Sequence, residues 1–448
     1  MEELPARQVS KKQANLKQTS AHLVTSGPGL TGGHVPLPTV EYGRAPGANP
    51  NPPSSASAAA APSPLAVAGV STARVALVHD WCPSFRGGER VLAEFCRIFN
   101  AADVFTLFDF LSPELKAQFF PGVNFHTSIA NRLPLVDRYY RALFSLCPFL
   151  IEQFDVTSYD AVLSSSAAFA RGVLTRPDQP HVCYVHTPAR YAWDEQFSYL
   201  AQGRLGYGPK GMLFRYLLHR LRTWDARTAH GPDIMLANSN YVRLRIKRVY
   251  GRDASVVHPP VATADLQFEA HKDDYYVATS FLAPNKRADL VIKAFREMPS
   301  RRLIMVGDGY RSKELRALAS ANVTFTGYLP RREYVRTLAE ARAMVFAGCE
   351  DFGITMAEAQ ACGTPLIAFG RGGALDIVQA LGTAPEPTGI LFKQQSVEAI
   401  KSAVEQFERQ RQRIDCSACR HNADRFSVAR FEREMTKALQ VAIALHGG

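Results

Sequence analysis

Two glutamates, Glu350 and Glu358, frame the densest chemistry in the chain, the stretch from Cys349 to Pro365 that reads CEDFGITMAEAQACGTP. A strand is expected to end near Ala347, Glu350 falls in the loop, and a helix is expected to start near Gly353. Helix starts leave backbone N–H groups without carbonyl partners and carry the positive end of the dipole. The amides of Phe352, Gly353, Ile354 and Thr355 therefore suit an anion such as a diphosphate. Glu358, one turn into the helix, can accept from the hydroxyl pair of a ribose, and Glu350, held outside the helix, can meet a sugar. The bland alternative is a connector with two solvated glutamates. The coupling of loop, helix start and the Gly363-Thr364-Pro365 stop argues against it.

Other apparent motifs carry less. Cys416 and Cys419 form a C-x-x-C, but no second pair stands at metal spacing and Ile414 to Arg425 reads as helix, so both are incidental thiols. The eight cysteines fit reduced thiols better than a disulfide framework. Gly27, Gly29 and Gly32 match the dinucleotide fingerprint, yet the match contains Pro28 and follows no strand, which the motif requires. No Asp-x-Asp triplet occurs. A metal clamp on a diphosphate is therefore not required, and neither metal nor other cofactor is expected.

These residues need a scaffold that alternates strand and helix. Arg74–His79 reads as a buried strand, followed by a loop holding Gly87 and Gly88 and a helix over Glu89–Phe99. Further strands are expected at 160–163, 181–186 and 233–237, with helices at 212–229 and 239–250. His258-Pro259-Pro260-Val261 breaks the pattern, since paired prolines continue neither helix nor ladder. Beyond it the alternation restarts, with strands at 275–279, 302–306, 323–326, 343–346 and 365–368. Such a pattern predicts an α/β fold of two doubly wound Rossmann-like domains with an interdomain cleft, the ligand lying at the carboxyl ends of the strands.

By length the 448 residues suggest about three domains, but residues 1–72 hold ten of the 28 prolines and read as a disordered, low-complexity leader. The expected organisation is this leader, an N-terminal domain over 73–258, a C-terminal domain over 259–425, and a C-terminal helix over 426–448 returning to the first domain. No window reaches the ~18 apolar residues of a membrane span and no secretory signal is visible, so a cytoplasmic protein is expected. The net charge of +11 attracts polyanions, but no zinc-finger or RNA-binding signature accompanies it, and nucleic acid is not an expected partner.

Glu350 and Glu358 with seven residues between them, together with Gly363-Thr364-Pro365 and Gly372-Gly373, resemble the signature of the retaining family-four glycosyltransferases of the GT-B fold. The resemblance runs from residue 74 to about residue 407. It includes His79-Asp80-Trp81, Gly87 to Val91, Tyr184 to Asp194, Ala237 to Ser239, His258 to Val261, Pro284 to Asp289, Val306 to Gly309 and Phe325 to Gly327. The His186-Thr187-Pro188 and Lys286-Arg287 blocks look most like the polysaccharide mannosyltransferases.

The resemblance implies that Glu350 lies by the donor sugar and Glu358 holds the nucleotide ribose, while Gly87 and Gly88 approach the diphosphate and Lys286 neutralises it as it leaves. It implies an active-site role for His186 and a base pocket shaped near Gly327 and Tyr328. The family usually has an arginine five residues before the lysine; here Phe281 stands there, with Arg287 a candidate replacement, and Asp376 stands where many members have glutamate. The expected activity is retaining transfer, through an oxocarbenium-like step, of mannose from GDP-mannose onto a polyprenyl-diphosphate-linked saccharide for cell-surface polysaccharide. Closure about 258–261 would exclude water. A UDP-sugar transferase is the alternative within the fold, and Phe281 motivates another, a non-catalytic homologue acting as an assembly partner. Arg204, Lys210, Arg215, Arg220 and Arg222, with the aromatic run 134–154, suggest peripheral contact with an anionic membrane at its inner face.

Overall fold

Every side chain of Val75–His79 is buried, as expected of a strand covered by helices on both faces. In the computed structural model, which describes residues 73–203 and 205–446, this strand, β1, lies within a seven-stranded parallel sheet. Its companions are β2 (Asp103–Thr106), β3 (Asn124–Thr127), β4 (Ala161–Ser166), β5 (His181–Val185), β6 (Ile234–Ala237) and β7 (Ser255–Val256). They are ordered β3-β2-β1-β4-β5-β6-β7. A second parallel sheet holds β8 (Tyr276–Thr279), β9 (Leu303–Val306), β10 (Val323–Gly327), β11 (Ala343–Phe346), β12 (Leu366–Phe369) and β13 (Gly389–Phe392), ordered β10-β9-β8-β11-β12-β13. This is the two-lobed Rossmann-like architecture expected. In each sheet the order reverses beside the first strand, so β1 and β4, and likewise β8 and β11, open a crevice at their carboxyl ends.

Sequence patterning missed β2, β3, β7 and β13. The edge strand β3 alternates exposed and half-buried residues, and β7 has only two residues, so neither presents an apolar run. The leader 1–72, its glycine motif and Arg204 lie outside the described residues. Among the described helices none is long and apolar enough to cross a membrane.

The chain crosses between the lobes at two adjacent points. Val257 N–H still donates to Ala237 O of the first sheet (2.9 Å), whereas Val261 N–H donates to Phe426 O (2.8 Å). From there the helix Val428–His446 lays Phe431, Met435, Leu439 and Ala442 into the first lobe's core beside Val75, Leu77 and Phe95. Phe431 stacks on Phe95 at 5.5 Å and meets Tyr184 edge-on at 5.8 Å.

Two buried polar groups organise the first crevice. Asp80, directly after β1, accepts from four consecutive backbone N–H groups after β4, those of Ala167, Ala168, Phe169 and Ala170, at 2.6–2.7 Å. A carboxylate caught this way closes the β1–β4 switch point into one geometry. Behind it, Arg171 pairs with Asp225, both fully buried, and Asp225 also accepts from Trp193 Nε1 (2.7 Å) and Tyr250 OH (3.0 Å). The aromatic run 134–154 is not a single surface: it breaks into short turns that bury Tyr140 and Phe144 and expose Leu135, Leu146 and Phe149.

Truncation of Phe431, which is 1% exposed, leaves a cavity under the terminal helix. Phe431→Ala is expected to cost about 3–5 kcal/mol, measured as a lowered urea midpoint of the folded chain.

Candidate active site

The helix Ile354–Ala361 begins only because Gly353 adopts φ +98, a left-handed conformation open to glycine at little cost. The loop before it is held by a second glycine constraint. Gly373 N–H donates to Glu350 O (2.9 Å), and a Cβ on Gly372, whose φ is +73, would sit 2.2 Å from that same carbonyl. Glu350 is thereby fixed at the carboxyl end of β11, where its carboxylate takes the Lys286 ammonium. Lys286 arrives on the turn Pro284–Lys286 after β8. The two groups expected at the sugar and at the diphosphate thus lie together at the second lobe's switch point.

Glu358 is 3% exposed and its oxygens already have donors. Oε1 accepts from Arg331 (2.8 Å) and from Arg90 (3.2 Å), and Oε2 from Tyr334 OH (2.9 Å). Arg90 belongs to the first lobe, one turn into the helix Gly87–Phe99. Gly87 is pressed against the opposite lobe, for a Cβ there would stand 3.3 Å from Ile354 Cδ1. Gly88 faces the His79 ring. Of the remaining helix-start residues, Thr355 and Ile354 are half-buried. The Phe352 side chain does not line the cleft; it packs against His258 (5.5 Å) and Phe426 (5.2 Å) at the crossing point. Arg287, with φ +52, is engaged by Asp289 at 3.3 Å. Gly327 closes β10, its carbonyl accepting from Gly307 N–H (2.9 Å).

At the end of β5, His186 joins a hydrogen-bonded row. The Ser165 hydroxyl bridges His79 Nδ1 (3.0 Å) and His186 Nε2 (2.8 Å). With a single proton, that hydroxyl donates to one ring and accepts from the other, so the two tautomers are linked. Burial pushes both imidazoles down to about 4, and His186 is neutral near pH 7. Burial also pushes the Glu89 carboxyl up to about 7, against hydrogen bonds from its own amide and that of Arg86.

Sequence reading assigned no role to Asp351, yet it ties the lobes. It accepts from Arg245 Nη1 (3.1 Å) and Thr187 Oγ1 (3.4 Å) and faces Arg190 at 3.6 Å. Its charge holds the Arg190 guanidinium above its ordinary range. Asp376 accepts from Asn240 N–H (2.8 Å) and Nδ2 (2.7 Å) at the start of the helix Asn240–Tyr250. Burial alone would raise its carboxyl, but the His258 and Asn240 donors outweigh that and hold it low. Arg90, Arg190 and Thr187 all stand inside motif blocks; their partners lie in the other lobe, which local spacing does not reveal.

Two family models divide this architecture between them. Residues 85–265 match Glycosyltransferase Family 4, and residues 265–426 match Glycosyl transferases group 1. The chain belongs to the family-four glycosyltransferases of the GT-B fold. Among similar glycosyltransferases is the GDP-mannose-dependent alpha-(1-6)-phosphatidylinositol monomannoside mannosyltransferase of Mycolicibacterium smegmatis, 29% identical over 216 residues, 41% of this chain and 55% of the relative. Its namesake in Mycobacterium tuberculosis strain H37Rv is 30% identical over 209 residues, 40% of this chain and 53% of the relative. The chain spans about half the length of the curated relatives it matches. In fold, the glycosyltransferase resembles Anabaena HepE solved with UDP and glucose (TM-score 0.62, 18% identity, 82% of this chain and 99% of HepE). Sucrose-phosphate synthase from Thermosynechococcus elongatus is similar in the same sense (TM-score 0.65, 17% identity, 83% of this chain and all of that one).

Glu89 yields a pH test. Its folded pKa lies above the usual value of an unfolded glutamate, so the native state holds the extra proton and stability falls as pH rises from about 4.5 to 7. Glu89→Gln removes that loss while the histidine contributions cancel between the variants. Between pH 5 and pH 8 the wild type is expected to lose about 2 kcal/mol more unfolding free energy than Glu89→Gln, measured by denaturant titration at the two pH values.

Proposed function

We propose that this chain transfers a mannosyl group from GDP-mannose, with retention, onto a lipid-linked saccharide in the synthesis of a cell-surface polysaccharide. The observation that carries the reading is the meeting of the Lys286–Glu350 pair, the Gly353 helix start and Glu358 with Gly87 and Arg90 of the facing lobe. The choice of mannose and guanine rests on the GDP-mannose-dependent relatives.

In this mechanism the donor diphosphate lies at the helix start beside Lys286, whose charge grows in value as the glycosidic bond breaks and negative charge collects on the leaving oxygens. Glu350 orients Lys286 and faces the sugar. Neutral His186, steadied by Ser165, offers a hydrogen bond to the sugar without adding a cation beside an oxocarbenium-like centre. The departing phosphate oxygen takes the acceptor's proton. No divalent metal is required, because the lysine and the helix start carry the charge stabilisation, and chelator is expected to leave turnover unchanged.

The membrane-facing part of the reading has its support in exposed apolar residues of the segment 129–149 on the first lobe. Ile129, Leu133, Leu135, Leu146 and Phe149 are 44–75% exposed, interleaved with Arg132, Arg138 and Arg141. Exposed apolar side chains alternating along the chain with arginines suit an anionic lipid surface carrying the acceptor. The first-lobe arginines named from sequence contribute less: Arg215 and Arg222 are turned onto backbone carbonyls of Leu205 and Ala192, while Lys210 and Arg220 are exposed. Leu135→Ser with Phe149→Ser is expected to cut binding to phosphatidylglycerol vesicles at least about tenfold, each buried side chain being worth about 1.5–3 kcal/mol, in a sedimentation assay. Unchanged binding would remove this face from the reading.

A thermal-shift series with GDP-mannose, GDP and UDP-sugars tests the donor, since a ligand of the native state raises the melting temperature. Stabilisation by GDP-mannose, lost in Glu358→Ala, is the expected result. A shift with UDP-sugars alone would reassign the donor, and no shift with any nucleotide would favour a non-catalytic assembly partner.

A further inference from the structure

We infer that Arg86 supplies, from the first lobe, the diphosphate-facing positive charge that the family pattern puts at position 281 and that this chain lacks there. The inference rests on the transferase reading and names one further residue of the same site.

The geometry begins at Phe281, five residues before Lys286. Its ring packs against Tyr310 at 5.6 Å and receives the Arg86 guanidinium on its face, the central carbon 4.7 Å from the ring centroid. Arg86 is the N-cap of the helix Gly87–Phe99 and immediately precedes the glycine that abuts Ile354. An arginine of the facing lobe is thus seated on the side chain that replaced the expected arginine. Stacking leaves the in-plane N–H donors of a guanidinium free to point at an anion, in the fork that matches phosphate oxygens. It also holds a long, flexible side chain in place before the ligand arrives, which lowers the entropy lost on binding.

The charge inventory leaves Arg86 among the cations at the cleft that no carboxylate holds, Arg371 on the second lobe being another. Lys286 is paired with Glu350, Arg287 with Asp289, Arg90 and Arg331 with Glu358, and Arg190 and Arg245 with Asp351. The Arg86 guanidinium has no ion pair among the described residues, and the residue is exposed. The same arrangement makes the contact conditional. An arginine at 281 would travel with the donor-binding lobe, whereas Arg86 reaches the diphosphate only while the lobes are together. Its charge therefore acts in the closed, reacting complex and should weigh on turnover as well as on affinity.

The test uses the full chain and calorimetric titration with GDP, UDP, GMP and UMP. Arg86→Ala is expected to weaken the nucleoside diphosphate that binds wild type by about ten- to a hundredfold, the worth of one charge-assisted hydrogen bond. The corresponding monophosphate should change less than about twofold. Arg86→Ala combined with Phe281→Arg should recover diphosphate affinity, which a merely structural role for Arg86 would not allow. Diphosphate affinity in Arg86→Ala equal to wild type, or an equal loss for monophosphate and diphosphate, would overturn this inference alone. If wild type binds none of the four nucleotides, the transferase reading falls and the inference with it.

Discussion

Across the cleft, carboxylates of the second lobe meet arginines of the first. Asp351 faces Arg245 and Arg190, and Glu358 faces Arg90, while Asp376 caps a first-lobe helix through Asn240. The full set of site residues is assembled by this closure, because the Lys286–Glu350 pair belongs to the second lobe and the His79–Ser165–His186 row to the first. The lobes are joined by two chain crossings, so their approach is set less by covalent structure than by these charges. Pairs at a cleft mouth gain little when solvated and more when water is excluded. Arg245 and Asp351, at 9% and 16% side-chain exposure, lie toward the stronger end of that range. Arg90, at 46%, lies toward the weaker.

The first lobe contributes rigidity rather than charge at its switch point. Asp80 gathers four amides into a single turn after β4, and the same strand end presents Ser165 to His79 and His186. A loop there would otherwise have several low-energy shapes, since its backbone donors have no strand partner. Once Asp80 has satisfied them, the direction of Ser165, and through it the His186 ring, follows. The Arg171–Asp225 pair lies one layer deeper, with Trp193 and Tyr250 completing the aspartate. Such a pair is costly to leave half-made and contributes more to a unique arrangement than to net stability.

Much of the scaffold was legible along the chain. Fully buried β-branched runs such as Val75–His79, the paired prolines at 259 and 260, and the glycine-started helix at 354 are local patterns, and each was found within a residue or two of where it stands. The strands β2, β3, β7 and β13 were not; β3 alternates exposed and half-buried residues and β7 has only two, so neither presents an apolar run. The aromatic run 134–154 divides between core and surface: composition records which residues are present, and the turns of 129–151 decide that Tyr140 and Phe144 face the core and Phe149 does not.

From residues alone came the identity of the chemical groups and their local setting, a lysine on a turn, a glutamate outside a helix start, another one turn in. Those follow from interactions within a few residues, which the chain carries wherever it folds. The partners of those groups came from packing. Arg90 stands 268 positions from Glu358, and Arg86 comes from a different sheet to lie on Phe281, so no local rule links them. Two lobes must first bury their cores and then close, and that closure determines which carboxylate holds which arginine and which arginine is left for a ligand.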